Sequence, residues 1–233
     1  MDHERDGPTR ALTGKVAAIP CATTACGEDL TGLIVEQGGR LALGASPARF
    51  EALDAKIDGR EGTHCQPVDL DRPNSLREFF QIAFAQFERL DVIVLELAPS
   101  KRQRMTTEKA IDLGTRRLLH CLDAVLPYID GDLHFICVAP ASGPAAIPIA
   151  TAFLAAKFAT TQATAAPRIR MSIVSPPMES SVDELSLART VVHLMKEARS
   201  PDILETVLAP PRKQRRLTRR PRLDATSKMS VQA

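Results

Sequence analysis

The chain has 233 residues, of which 44% are hydrophobic and 25% are charged. This composition excludes a largely disordered chain and a small disulfide-stapled protein, and the length suffices for one domain with a full core. The formal net charge is +2, but residues 211–233 carry eight Lys and Arg side chains against one Asp, so the remaining residues sum to −5. The sequence therefore predicts a mildly acidic body followed by a basic tail.

Short apolar runs alternate with helical patterns along the chain. The predicted strands are 16–19, 41–45, 65–68, 92–95, 133–138, 169–174 and 203–208, and the predicted helices are 29–37, 47–57, 74–87, 106–126, 150–165 and 184–198. This alternation predicts an α/β fold, a Rossmann-like doubly wound parallel sheet of about seven strands with helices on both faces. We expect a single domain over 11–209, a flexible N-terminus at 1–10 and a basic, disordered tail at 210–233.

Several classes of protein are not indicated by the residues present. The five cysteines form no Cys-x-x-Cys pair, and the five histidines show no metal-ligand spacing, so free thiols and no metal site are predicted. No window approaches 18 uninterrupted apolar residues, and the first ten residues lack an apolar run. We therefore expect a cytoplasmic protein without a membrane span or a secretory signal.

The segment GKVAAI at 14–19 resembles the opening strand of the short-chain dehydrogenase/reductase (SDR) family, which continues with the cofactor-binding loop TGxxxGxG. In this register Pro20 replaces the threonine, Cys21 and Ala25 replace the first two glycines, and only Gly27 is retained. Side-chain atoms at these positions obstruct a close approach of the backbone to a pyrophosphate, and a proline removes an amide donor. The resemblance implies a nucleotide-binding loop that has lost most of its glycines.

The resemblance extends over most of residues 11–209 and implies further cofactor positions. The second strand ends at Ala45, where the family carries an acid for the ribose or a basic residue for a 2′-phosphate, so neither NAD nor NADP is favoured there. Asp69 is retained where the family's aspartate touches adenine. The family's Asn-Asn-Ala-Gly motif is replaced by LELA at 95–98. Gly27 and Asp69 are thus the weak remnants of a cofactor site.

The catalytic positions that the resemblance implies are also altered. The family uses a serine, a Tyr-x-x-x-Lys pair and an asparagine; here Pro140, Phe153 and Gly114 stand at the serine, tyrosine and asparagine positions. Phe153 has no ionisable hydroxyl for general acid–base work, and only Lys157 remains.

Three hydroxyl-bearing residues are alternatives for the missing proton donor. Ser142 is two residues from the expected serine position, Thr151 has a short reach, and Tyr128 belongs to a helix end. None of them matches the family's spacing.

These losses predict a non-catalytic SDR-like pseudoenzyme that binds no cofactor and acts as a structural or regulatory subunit, with an active SDR paralogue as its partner or as a homo-oligomer. One alternative is a divergent NAD(P)-dependent oxidoreductase that uses Lys157. A second is an adaptor that binds anionic partners through its arginine-rich tail. The arginines concerned are Arg212, Arg215, Arg216, Arg219, Arg220 and Arg222. The pseudoenzyme hypothesis has one variant, a ligand sensor that binds its ligand in the altered cofactor cleft.

Overall fold

Seven parallel strands form one sheet at the centre of the molecule. The computed structural model describes residues 10–97, 106–129, 131–139, 151–152, 155, 169–175, 184–197 and 205–208. The strands are β1 (Val16–Ile19), β2 (Arg40–Ala45), β3 (Thr63–Pro67), β4 (Val92–Glu96), β5 (Leu133–Val138), β6 (Ile169–Ser175) and β7 (Glu205–Leu208). Their order in the sheet is β3-β2-β1-β4-β5-β6-β7, and every neighbouring pair is parallel. The predicted parallel α/β sheet is confirmed.

Helices cover both faces of the sheet. They are α1 (Ala25–Glu36), α2 (Pro47–Ile57), α3 (Pro73–Phe87), α4 (Thr107–Val125) and α5 (Glu184–Lys196), and a 3-10 helix (Leu126–Tyr128) follows α4. Apolar side chains of α3 and α4 pack in one buried cluster, and those of α1, α2 and α5 pack in another on the opposite face. The two clusters confirm the predicted doubly wound architecture.

Helix α1 begins four residues before the predicted start at Asp29. The hydroxyl of Thr24 accepts a hydrogen bond from the backbone N–H of Gly27 at 2.9 Å, which makes Thr24 the N-cap. A capping bond of this kind satisfies one of the amide groups that a helix leaves unpaired at its start. Residues 25–28, which precede the predicted helix, therefore form its first turn.

The strand order reverses direction at β1. The chain moves from β1 outward to β2 and β3, and then returns to the other side of β1 to form β4. Loops that follow β1 and β4 therefore diverge toward opposite faces and leave a crevice at the carboxyl edge of the sheet. Doubly wound proteins bind ligands in such a crevice.

Parts of the predicted organisation lie outside the described residues. Of the helix predicted at 150–165 the structure describes only positions 151, 152 and 155, and it describes none of the tail at 210–233. The domain boundaries stay predictions. Among the described residues, no helix combines the length and the apolar character needed to cross a membrane.

A buried histidine lies near the amino end of β5, on the edge of the sheet opposite the crevice. His134 is 8% exposed, and its Nε2 lies 2.9 Å from the hydroxyl oxygen of Ser172 on β6. Burial lowers the pKa of His134 from 6.5 to about 3, and the positive charges of Arg170 and Lys15 act in the same direction. The imidazole is therefore neutral in the folded protein at physiological pH.

We predict that His134 makes the folded state sensitive to acid. Between pH 6.5 and about 3 the unfolded chain takes up a proton on this residue that the folded chain does not, so its contribution is complete above pH 6.5 and is lost as the pH falls. Denaturant unfolding at a series of pH values should give a flatter dependence of the unfolding free energy for His134→Gln. Parallel curves for the wild type and His134→Gln would refute this prediction.

Candidate functional site

The turn that follows β1 is attached to the strands on both sides of it. The backbone N–H of Ala22 donates to the carbonyl of Gly44 on β2 at 2.8 Å. The thiol of Cys21 donates to the carbonyl of Glu96 at the end of β4, with 3.9 Å between sulfur and oxygen. These bonds hold the turn at the crevice although Pro20 and Cys21 replace the family's threonine and first glycine.

Gly27 allows the first turn of α1 to lie against this turn. A Cβ atom on Gly27 would lie 2.8 Å from the backbone oxygen of Ala22 and 2.9 Å from its Cα. Such distances are shorter than van der Waals contact, and backbone atoms cannot move aside cheaply. Gly27 is therefore required for the close packing of helix and turn, whether or not a ligand is bound.

A small cavity lies beneath the turn. Its free volume is about 10 Å³, which is room for about one water molecule. It is lined by Ile19, Cys21, Thr24, Cys26, Gly27, Leu30, Val94, Glu96 and Val138. A dinucleotide does not fit in this space, so a ligand of that size has to use the open part of the crevice.

The thiols at this cavity are protonated. Burial raises the pKa of the Cys21 thiol to about 12, and the negative charge of Glu96 acts in the same direction. The same two causes raise the pKa of Cys26 well above its ordinary value. A neutral thiol is a poor nucleophile and a poor metal ligand, so these cysteines contribute apolar volume to the crevice. In the part of the chain that the structure describes, no cluster of His, Cys, Asp and Glu could hold a metal ion.

Asp69 lies in the loop after β3, where its carboxylate is engaged within the loop. Its Oδ1 accepts from the backbone N–H of Asp71 at 3.0 Å, and its Oδ2 lies 3.3 Å from Nε of Arg72. An open cleft of about 830 Å³ borders this loop and the start of α3, with Asp69, Asp71 and Ser75 in its wall. The retained aspartate therefore shapes the loop and also faces a cleft large enough for an adenosine group.

An ion pair joins the same loop to α4. The guanidinium of Arg117 donates from Nε and Nη2 to the two carboxylate oxygens of Asp71, at 2.8 and 3.0 Å. This bidentate bond holds the pKa of Asp71 below its ordinary value. The pair joins the loop after β3 to α4.

The predicted catalytic positions are only partly described. Gly114 is buried in α4 and offers no side chain to the crevice. The residues Pro140, Ser142, Phe153 and Lys157 lie outside the described part of the chain. The structure therefore leaves these positions as predictions.

Two of the alternative proton donors are described. Tyr128 follows the carboxyl end of α4, just before β5, so it lies at the edge of the sheet opposite the crevice, packed 5.9 Å from the ring of Phe84. This position excludes Tyr128 from the crevice. Thr151 is exposed.

Sequence reasoning missed two residues at the crevice. Thr24 caps α1, and Arg49 in the first turn of α2 donates from Nη1 to the backbone carbonyl of Thr23 at 2.9 Å. The signal for Arg49 is the pair Ser46-Pro47, since a serine followed by proline is typical of a helix start. That start places Arg49 at the carboxyl edge of the sheet, beside the turn after β1.

Comparison with known proteins gives similarities in sequence and in structure. No model of a protein family matches the chain. An uncharacterised oxidoreductase of Staphylococcus saprophyticus is 26% identical over 213 residues, which cover 82% of this chain and 86% of that protein. A metagenomic short-chain oxidoreductase (SDR) solved in complex with NADP matches 86% of this chain and 99% of its own, with a TM-score of 0.66 and 19% identity. The NADH-dependent reductase A1-R′ complexed with NAD matches 87% and 97%, with a TM-score of 0.65 and 17% identity.

These similarities contradict the prediction of a non-catalytic subunit that binds no cofactor. The relative is named an oxidoreductase, and the two structures that share the fold hold NADP and NAD. The prediction rested on the replacement of the family's threonine and glycines by Pro20, Cys21 and Ala25, but the crevice is built by the strand order and by the contact at Gly27. The pseudoenzyme interpretation is therefore wrong, and the divergent oxidoreductase agrees better with the findings.

We predict that the two glycines of α1 respond oppositely to substitution by alanine. Gly27→Ala should destabilise the protein by about 1–3 kcal/mol because the new Cβ overlaps the backbone of Ala22. Gly32→Ala is the matched control, since its Cβ would meet no atom within 4 Å and alanine favours the helix by about 0.5–1 kcal/mol. Thermal unfolding of both variants measures this difference. Equal melting temperatures for the two variants would contradict the packing role of Gly27.

Proposed function

We propose that this chain is a member of the short-chain dehydrogenase/reductase family and an oxidoreductase that transfers a hydride between NAD(P)(H) and a carbonyl or alcohol substrate. The observation that carries this proposal is the crevice at the carboxyl edge of the sheet, beside the turn after β1, where the strand order reverses. The oxidoreductase relative and the NADP- and NAD-bound structures of the same fold support it.

The described residues fit the adenosine half of such a cofactor. The cleft of about 830 Å³ lies beside Asp69, and Gly27 keeps the start of α1 close to the turn. Cys21 carries a side chain where the family has a glycine, which narrows the approach of a pyrophosphate to the backbone. We infer that the adenosine half of the cofactor contributes a larger share of the binding affinity in this chain than it does in SDR proteins whose loop is rich in glycine.

A bound nicotinamide supplies or accepts the hydride, and the chain must move one proton for each hydride transferred. Phe153 carries no hydroxyl for this purpose. We propose that Lys157 donates this proton to the carbonyl oxygen during reduction and accepts it from the alcohol during oxidation. Lys157 lies outside the described residues, so its assignment rests on the Tyr-x-x-x-Lys register of the sequence.

The compartment and the partners also belong to the proposal. The five cysteines are all free thiols, which is typical of a reducing compartment, and we propose the cytoplasm. A homo-oligomer or another protein partner stays a prediction. The same holds for an anionic partner of the tail arginines.

We predict that the protein oxidises NADH or NADPH in the presence of members of a panel of aldehydes and ketones. The loss of absorbance of the reduced nicotinamide measures this reaction. Lys157→Ala should abolish this turnover because no proton donor of the family's motif is then left. Lys196→Ala is the matched control: it removes the same charge in the last turn of α5, at the opposite edge of the sheet, and should keep wild-type activity. A protein that binds the cofactor but turns over no member of the panel, or a Lys157→Ala variant with full activity, would contradict the proposed role.

A further inference from the structure

Glu96, the last residue of β4, lies beside the start of α1. It is partly buried, its backbone carbonyl accepts the bond from the thiol of Cys21, and it lines the small cavity together with Thr24 and Gly27. Val94, two residues earlier, lines the same cavity and packs in the apolar cluster of α1. Residues two apart on a strand face the same side of the sheet, so the Glu96 side chain lies on the face that α1 covers.

The carboxylate of Glu96 makes the potential at the start of α1 negative. After burial, its charge is the largest cause of the raised pKa of both cavity thiols, Cys21 and Cys26. Glu184, at the start of α5, and Asp29 on α1 act on the pKa of Cys26 in the same direction. The two thiols thus respond to an acidic environment that elements on several sides of the crevice create.

Basic side chains around this crevice are accompanied by acids. Arg117 on α4 lowers the pKa of the Cys21 thiol, but its guanidinium is bound to both carboxylate oxygens of Asp71. The other basic residues of these elements, each with the acids that pair with it or share its helix, are Lys56 with Glu28, Arg72 with Asp69, and Arg49 with Glu51 and Asp54. The charge of Glu96 is added to a region whose other charges largely balance.

We propose that Glu96 opposes the binding of the cofactor's pyrophosphate and thereby lowers the affinity of this chain for NAD(P)(H). The inference rests on the proposed function, because it concerns the same crevice. In doubly wound sheets a pyrophosphate binds at the start of the helix after the first strand, where backbone amides and the helix dipole favour an anion. A carboxylate at this place repels a diphosphate, and it stands where the SDR motif carries an uncharged asparagine.

The test is a calorimetric titration of the full chain with NADH and with NADPH. Glu96→Gln keeps the size of the side chain and changes the local charge by one unit, whatever other group the side chain contacts. At about 0.1 M salt it should bind both cofactors about 10-fold more tightly than the wild type. Glu36→Gln is the matched control: it removes the same charge from the exposed last residue of α1 and should leave both affinities unchanged.

The salt dependence separates the charge of Glu96 from its shape. The screening length falls from about 10 Å at 0.1 M salt to about 3 Å at 1 M, so the advantage of Glu96→Gln over the wild type should shrink at the higher concentration. An advantage of the same size at both concentrations would mean that the glutamine improves the fit of the cofactor, and would overturn the role of charge.

The remaining outcomes separate this inference from the proposed function. Glu96→Asn, which restores the residue of the SDR motif, is a second neutral variant and should show the same gain, so that a folding defect in Glu96→Gln does not decide the test. Wild-type affinity in both neutral variants would overturn the inference while the proposed function stands. If neither the wild type nor the neutral variants bind NADH or NADPH, the proposed function fails, and the inference fails with it.

Discussion

The contact between the start of α1 and the turn after β1 determines the geometry of the crevice. Gly27 lets the helix backbone approach Ala22 more closely than any residue with a Cβ permits. The turn itself is held by a hydrogen bond to Gly44 on β2 and by the thiol of Cys21 on the carbonyl of Glu96 at the end of β4. The turn therefore keeps its place although two of the family's three glycines have been replaced.

The amino and carboxyl edges of the sheet have different roles. At the amino edge, the buried His134 and the amine of Lys15, which donates to the carbonyl of Met195 at 2.7 Å, fasten α5 and the strands together. At the carboxyl edge, ion pairs such as that of Asp71 with Arg117 hold loops while leaving an open cleft. The contacts that stabilise the fold and the residues that border the crevice thus lie at opposite edges of the sheet. The crevice residues can therefore change without loss of the fold.

The sequence predicts the sheet well, and the reason lies in particular segments. Runs such as 16–19 and 133–138 are short and mostly apolar, and each follows a charged residue, so their strands are found at the predicted positions. The start of α1 was missed because Thr24 acts through a single capping bond that hydrophobic periodicity does not report. Arg49 was missed because its contact with Thr23 joins two elements that are distant along the chain. The function was predicted wrongly because motif positions were weighed one by one, whereas the crevice depends on strand order and on one glycine contact.

The central claim is that the carboxyl edge of the sheet binds a nicotinamide cofactor. Hydrogen–deuterium exchange with and without saturating NADPH tests it most directly, because it reports where the ligand binds as well as whether it binds. The account predicts slower exchange of the backbone amides in the turn 20–27 and in the loop 68–72, and unchanged exchange in residues 133–136 at the opposite edge. Unchanged exchange in both crevice segments, or protection confined to another part of the chain, would contradict the account.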